Sequence, residues 1–175
     1  VYSVHASNRT VYSGGSDSAV KAVDASDGSQ IWSHNLHGTE NVYSVHASNG
    51  VVYSGSSDDT VKAVDASDGT ELWSHSLHTG YVESVHASNG VVYSGSGYNS
   101  NYTVKAVDAS DGSQLWTHSL HSNSVYSVHA SNGVVYSGSD YATASAVGST
   151  DRSSLRSYRP PSRMRNSFLQ PTGRD

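Results

Sequence analysis

Cysteine is absent from this 175-residue chain, which removes disulfides, thiolate nucleophiles and cysteine-ligated metals from consideration. Phenylalanine and methionine occur once each, and charged residues make up only 14%. A large oily core of the helical-bundle kind cannot be built from this composition. Burial must come from Val, Ala, Leu and the 12 tyrosines, spread over thin layers, which suits stacked sheets. No apolar run approaches the roughly 18 residues of a membrane-spanning helix, so no membrane span is expected. Basic residues are scarce in the body: 4 against 13 acidic up to position 150, while the last 25 positions hold 6 Arg and 2 Asp. A mildly acidic body with a basic end lacks the basic face of a nucleic-acid binder, so no nucleic-acid partner is expected. No initiator Met or signal peptide is seen at Val1, and the chain reads as a mature or truncated piece.

What is present is repetition. VYSVHASN begins at Val1, Val42 and Val125, with the variant VESVHASN at Val82, giving spacings of 41, 40 and 43. VKAVDASDG recurs at 20–28, 61–69 and 104–112, and Trp32, Trp73 and Trp116 each close a unit. The third unit is longer because Gly97-Tyr98-Asn99-Ser100-Asn101-Tyr102 replaces Ser57-Asp58-Asp59. Such growth costs little closure entropy in a surface turn. A worn fourth copy aligns without a gap from Thr143 to Tyr158: Ala146-Val147 matches Ala63-Val64, Asp151 matches Asp68, and Leu155 matches Leu72. Gly148 stands for an Asp, Arg152 for a Gly and Arg156 for the Trp. The domain reading is four units at 1–41, 42–81, 82–124 and 125–158, followed by a basic, disordered tail at 159–175.

Each unit reads as four strands. In the second, Val42–Ala47 alternates, with Tyr43, Val45 and Ala47 assigned to one face. Asn49-Gly50 is a type I′ hairpin signal. Val51–Ser54, Thr60–Val64 and Glu71–His75 follow, separated by Asp58-Asp59 and Asp68-Gly69 turns. The fold class predicted is all-β: a β-propeller, or a propeller fragment, of about four four-stranded antiparallel blades of the WD40-like kind. An open solenoid of blades is the alternative.

The strings Ala22–Trp32, Ala63–Trp73 and Ala106–Trp116 resemble the tryptophan-docking motif of the PQQ-type propeller repeat family, Ala-x-Asp-x-x-Thr-Gly-Lys-x-x-Trp. Here Asp replaces the family's Thr, and Ser or Thr its Lys. The resemblance implies that Ala22, Asp24, Gly28 and Trp32 dock blades together, as do Ala63, Asp65, Gly69 and Trp73, and Ala106, Asp108, Gly112 and Trp116. Glycine permits the left-handed turn, Asp bonds turn amides, and Trp supplies an apolar plate. The family includes quinone-dependent dehydrogenases, whose adjacent-cysteine disulfide is impossible here. It also includes non-enzymatic propellers that organise assembly, which this chain resembles more. An extracytoplasmic location follows from that resemblance, and no cofactor is expected.

The histidines repeat in two classes. His5, His46, His86 and His129 lie on first strands and would face a channel, where an imidazole ring could hold Zn²⁺ or Cu²⁺. Simple duplication of an ancestral His competes with that reading. His34/His37, His75/His78 and His118/His121 sit near the ends of fourth strands. Asp65–Gly69 resembles half a calcium loop but reads as a turn, and no nucleophile-elbow sequence supports a Ser/His/Asp site. The expected function is a non-enzymatic scaffold or binding module for protein or glycan partners. Alternatives are a metal-binding or redox-accessory propeller using the repeated His, and a degenerate fragment of a larger PQQ-like repeat protein. Open blade edges predict self-association.

Overall fold

A computed structural model describes residues 1–98, 100–119, 121–140, 143–149 and 154–158, the last five by their backbone alone. The proposed tail at 159–175 lies outside the described residues. Among the described residues, sixteen strands form four antiparallel sheets, each of four sequence-consecutive strands in order. Blade 1 holds β1 (Ser3–Ser7), β2 (Thr10–Gly14), β3 (Ala19–Asp24) and β4 (Gln30–Asn35). Blade 2 holds β5 (Val42–Ser48), β6 (Val51–Ser56), β7 (Thr60–Asp65) and β8 (Glu71–Ser76). Blade 3 holds β9 (Val82–Ser88), β10 (Val91–Ser96), β11 (Val104–Asp108) and β12 (Gln114–His118). Blade 4 holds β13 (Val125–Ser131), β14 (Val134–Ser139), β15 (Thr143–Gly148) and β16 (Ser154–Tyr158). Short strands and tight turns make each blade a meander, and the lengthened turn of the third unit lies between β10 and β11.

The worn fourth unit keeps the register. Ala146 pairs with Arg156 as Ala22 pairs with Trp32, Ala63 with Trp73 and Ala106 with Trp116. The same one-residue shift follows each of these pairs, so the bulge is part of the repeat.

One face assignment needs correction. A bulge between Val42 and Ser44 breaks the two-residue alternation of β5. It puts Val42 with Val45 and Ala47, in one core cluster with Tyr12, Val20, Ala22 and Trp32 of blade 1. Tyr43 leaves that face and its ring lies between Tyr2 and Tyr81.

Three equivalent clusters fill the three junctions. The inner strands β1, β5, β9 and β13 lie side by side. At each junction a fully buried valine knob, Val42, Val82 or Val125, rests on a glycine of the preceding blade, Gly14, Gly55 or Gly95. Among the described residues the series does not close on itself. Val4 is 65% exposed, where Val45, Val85 and Val128 are 4%, 5% and 6% exposed. At the other end Tyr136 is 50% exposed, where Tyr12, Tyr53 and Tyr93 are 4%, 3% and 2% exposed. The described residues form an open arc of blades.

The first hairpins confirm the turn chemistry. Asn49-Gly50, Asn89-Gly90 and Asn132-Gly133 have positive φ at both positions, as type I′ requires. Asn8 and Arg9 adopt the same geometry, with φ of 49° and 63°. Arginine carries the left-handed conformation at a steric cost that glycine avoids. The expected result for Arg9→Gly is a gain of about 0.5–1 kcal/mol, set against glycine's greater unfolded-state entropy. A differential scanning melt in which the midpoint stays level or falls would contradict the strain argument.

Candidate binding surface on the inner strands

The docking motif is built from turn to plate. Asp65 Oδ1 accepts from the Ser67 amide at 2.8 Å, and Asp24 and Asp108 do the same for Ser26 and Ser110. This fixes the turn that points Ala66 O at the preceding blade. Trp32 Nε1 donates to Ala66 O at 3.0 Å, Trp73 Nε1 to Ala109 O at 3.0 Å, and Trp116 Nε1 to Ser149 O at 3.1 Å. Each buried indole also lies 5.9–6.0 Å from the Tyr of its own blade: Tyr12, Tyr53 or Tyr93. Gly69 (φ +76°) and Gly112 (φ +73°) allow the turn and also the packing, because a Cβ there would press on Trp32 or Trp73 at 3.0 Å. Gly28 has the same φ class, and among the described residues nothing lies within 4 Å of a Cβ built there. The motif residues Ala22, Ala63 and Ala106 are fully buried beneath their tryptophans.

Two histidine roles are not readable from the motif. His34 and His75 stack on Trp32 and Trp73 at 5.6 Å and bond Asp68 O and Asp111 O of the next blade at 2.9 Å. His37, His78 and His121 follow the fourth strands and reach the next blade. Their Nε2 atoms bond Ser54, Ser94 and Ser137 Oγ at 2.8, 2.8 and 2.7 Å. Nδ1 of His37 meets Asp58 at 2.8 Å, whereas His78 and His121 meet Thr103 and Thr143 at 3.2 Å. Ser54-His37-Asp58 thus has the connectivity of a nucleophilic triad, with Ser54 and His37 buried at 1% and 3% exposure. Burial lowers the His78 pKa to about 3, helped by the Lys105 charge. Burial raises Asp58, but bonds from His37 and Thr60 outweigh it and hold the carboxyl at about 2. The visible signal is a His–Ser separation of 17, 16 and 16 residues, repeated three times.

The first-strand histidines form a row. His5–His46, His46–His86 and His86–His129 ring centroids lie 4.2, 4.3 and 4.4 Å apart. The rings follow one another from blade to blade instead of aiming at one centre. Among the described residues no group of three or more His, Cys, Asp or Glu is placed to hold a metal ion. His46 falls to about 3, first through burial and then through its neighbours' charges, and Nδ1 accepts from the Ala87 amide at 3.3 Å. Beside this row, Ser3, Ser44 and Ser84 Oγ accept from the amides of Val45, Val85 and Val128 on the next blade at 3.0–3.1 Å.

A second row consists of tyrosines. Tyr2–Tyr43, Tyr43–Tyr81 and Tyr81–Tyr98 centroids are 5.4, 5.8 and 5.4 Å apart. Tyr2 is 56% and Tyr98 60% exposed. Tyr98 comes from the lengthened turn, so the one irregularity in the repeat contributes an end of this row. Glu83 lies beneath Gly97, where burial raises its pKa against a backbone hydrogen bond from Tyr98. Tyrosine and histidine rings thus form two separate rows, each running from blade to blade.

Such a stack of four-stranded meanders is a β-propeller arc, and its docking residues are of the PQQ type. The profile of the family described as outer membrane protein assembly factor BamB matches residues 16–135 and 100–173, and the chain belongs to that PQQ-type repeat family. Among solved structures it is similar to the computationally designed Ika8 protein, at 24% identity and TM-score 0.80, covering 89% of this chain and 48% of that one. It is also similar to the designed Ika4 protein, at 26% identity and TM-score 0.77, covering 84% of this chain and 89% of that one. The WD40 propeller domain of Doa1 shares 22% identity at TM-score 0.75, covering 90% of this chain and 54% of that one. The chain thus spans about half the length of two of these propellers. No curated protein matches the chain in sequence.

Proposed function

We propose that the chain is a non-enzymatic binding scaffold that presents the Tyr2–Tyr43–Tyr81–Tyr98 row to an extended protein segment. The observation that carries this reading is the continuous run of tyrosine rings at 5.4–5.8 Å, exposed at both ends. Tyrosine gives large contact area at low entropic cost and keeps a hydroxyl for hydrogen bonding. The ring spacing suits alternate side chains or prolines of an extended peptide. The family's description, which names outer membrane protein assembly, favours a protein over a glycan as the partner. The buried His–Ser pairs serve as struts between blades in this reading and take no part in chemistry.

The test is selection from a displayed library of extended peptides, with a glycan array in parallel. The expected result is a peptide whose affinity falls at least about tenfold in the Tyr43→Ala/Tyr81→Ala variant, equivalent to about 1.4 kcal/mol. Leu72→Ala, exposed on β8, should leave that affinity unchanged. Peptides that bind the double variant equally well would sink the proposal, and glycan-only binding lost in the same variant would redirect it to sugars.

A further inference from the structure

Lys21, Lys62 and Lys105 hold one position on the third strands of blades 1, 2 and 3, and each reaches for a different partner. Lys21 turns back to Asp17, four residues before it in the β2–β3 turn. In blade 2 the matching turn residue, Asp58, is already engaged by His37 and Thr60, and Lys62 turns outward to Glu71 on β8 at 3.2 Å. The direction of the lysine thus follows the available carboxylate. Blade 3 has a carboxylate at neither place. Gln114 stands where Glu71 does, and Asn101 stands where Asp17 and Asp58 do. The turn geometry confirms that match: the residue after each, Ser18, Asp59 and Tyr102, has a φ of 61°, 67° and 53°. Lys105 Nζ is left donating to the neutral Gln114 Oε1 at 3.2 Å, and burial lowers its pKa.

Beside Lys105 the lengthened turn borders a pocket of about 170 Å³. Its buried side is the His78–Thr103 pair, Nδ1 to Oγ1 at 3.2 Å, and its exposed side is Asn101, Thr117 and Ser119. Thr117 lies directly opposite Lys105 in the β11–β12 register. None of the described residues that line the pocket is acidic. His78 is held neutral, with its pKa lowered to about 3 by burial and then by the Lys105 charge, so Lys105 is the one cation among them. The volume falls below the roughly 300–1,000 Å³ of pockets for drug-sized ligands, so a small occupant is called for.

We propose that this pocket binds a small oxyanion, inorganic phosphate or the phosphate group of a monoester, with Lys105 turning from Gln114 to meet it as Lys21 turns to Asp17. The ammonium meets an anion as a point charge on a flexible stem, so rotation of that stem is enough to bring it over. The Asn101 amide and the Thr117 and Ser119 hydroxyls supply further donors. Blades 1 and 2 are closed to such a ligand, because a carboxylate at the Asn101 position repels it. The site shares no residue with the Tyr43 and Tyr81 surface and does not rest on the peptide reading.

The test is calorimetric titration of the unmodified chain with inorganic phosphate and, separately, with O-phosphoserine, in chloride buffer of constant ionic strength. One-to-one saturation with a Kd of about 1 mM or tighter is expected. Lys105→Gln and Asn101→Asp should each weaken it at least about tenfold, and Lys62→Gln, at the matching position of blade 2, should leave it unchanged. Asn101→Asp installs the residue that blades 1 and 2 already carry, so its circular dichroism should match that of the parent and its loss of binding reports on the pocket alone. Phosphoserine binding with the same dependence on these variants assigns the site to monoesters, and binding of inorganic phosphate alone assigns it to the free anion. No saturation with either by about 10 mM, or saturation that survives both Lys105→Gln and Asn101→Asp, would overturn the proposal.

Discussion

Replacing Trp73 with Ala should cost about 3–5 kcal/mol of stability, the usual range for a large buried aromatic. The indole is 8% exposed in the middle junction of the arc. It packs against Tyr53 at 5.9 Å and His75 at 5.6 Å, and lies 3.0 Å from where a Cβ on Gly112 would be. Truncation opens a cavity between two blades that stiff meanders cannot collapse into. It also removes the partner of Ala109 O, leaving a partly buried carbonyl short of a bond. Tyr98→Ala, at a 60% exposed site, should change stability by no more than about 0.5 kcal/mol. Urea melts of the two variants test this. Equal midpoint shifts would show that the tryptophan does not dock the blades.

Acid should weaken the fold well before carboxylates titrate. His78 is buried among Ser94 and Thr103, with its pKa lowered to about 3. In the unfolded chain the same imidazole titrates near its ordinary value of about 6.5. The unfolded state therefore binds the proton more readily, and stability falls as pH drops below 6.5 toward 3. At pH 5 this one group costs up to about 2 kcal/mol relative to pH 7.5. His46 is lowered to about 3 as well, and His5, His86 and His121 are lowered chiefly by burial, so all act in the same direction. Asp58, held at about 2, adds a further loss below the carboxylate range. The melting temperature should drop steadily between pH 7.5 and 5, and His78→Gln should flatten that slope. A melting temperature constant across this window would show that these imidazoles are hydrated in the native state.

The blade count, the strand order and the docking tryptophans are legible because their signals are local and repeated. Asn-Gly pairs mark hairpins, and Asp-Gly followed by Trp at fixed spacing marks a turn with its plate. The face of Tyr43 is not legible, because alternation assumes a regular strand and the bulge after Val42 leaves no mark of its own in composition. The His37, His78 and His121 struts escape for a different reason. Their partners lie on the next blade, and only the recurring separation to a Ser ties them together. The tyrosine row is least visible, because Tyr81 and Tyr43 occupy different positions in their units and meet only after stacking.

The knob-and-glycine fit gives the chain a direction. A front cannot meet a front, because a valine finds no bare backbone to rest on, so near-identical units are protected from inverted pairing during folding. The same fit offers no protection against slippage by a whole unit. The front of blade 3 matches the back of blade 1 as well as that of blade 2, since Gly14 and Gly55 present equivalent floors. The Asn8-Arg9 hairpin, Glu83 in place of a Tyr, the lengthened turn of blade 3 and the worn last unit are among the few features that tell one copy from another. Refolding intermediates of such a chain are therefore expected to be miscounted rather than misshapen: correct blades, joined in the right sense, with one left out.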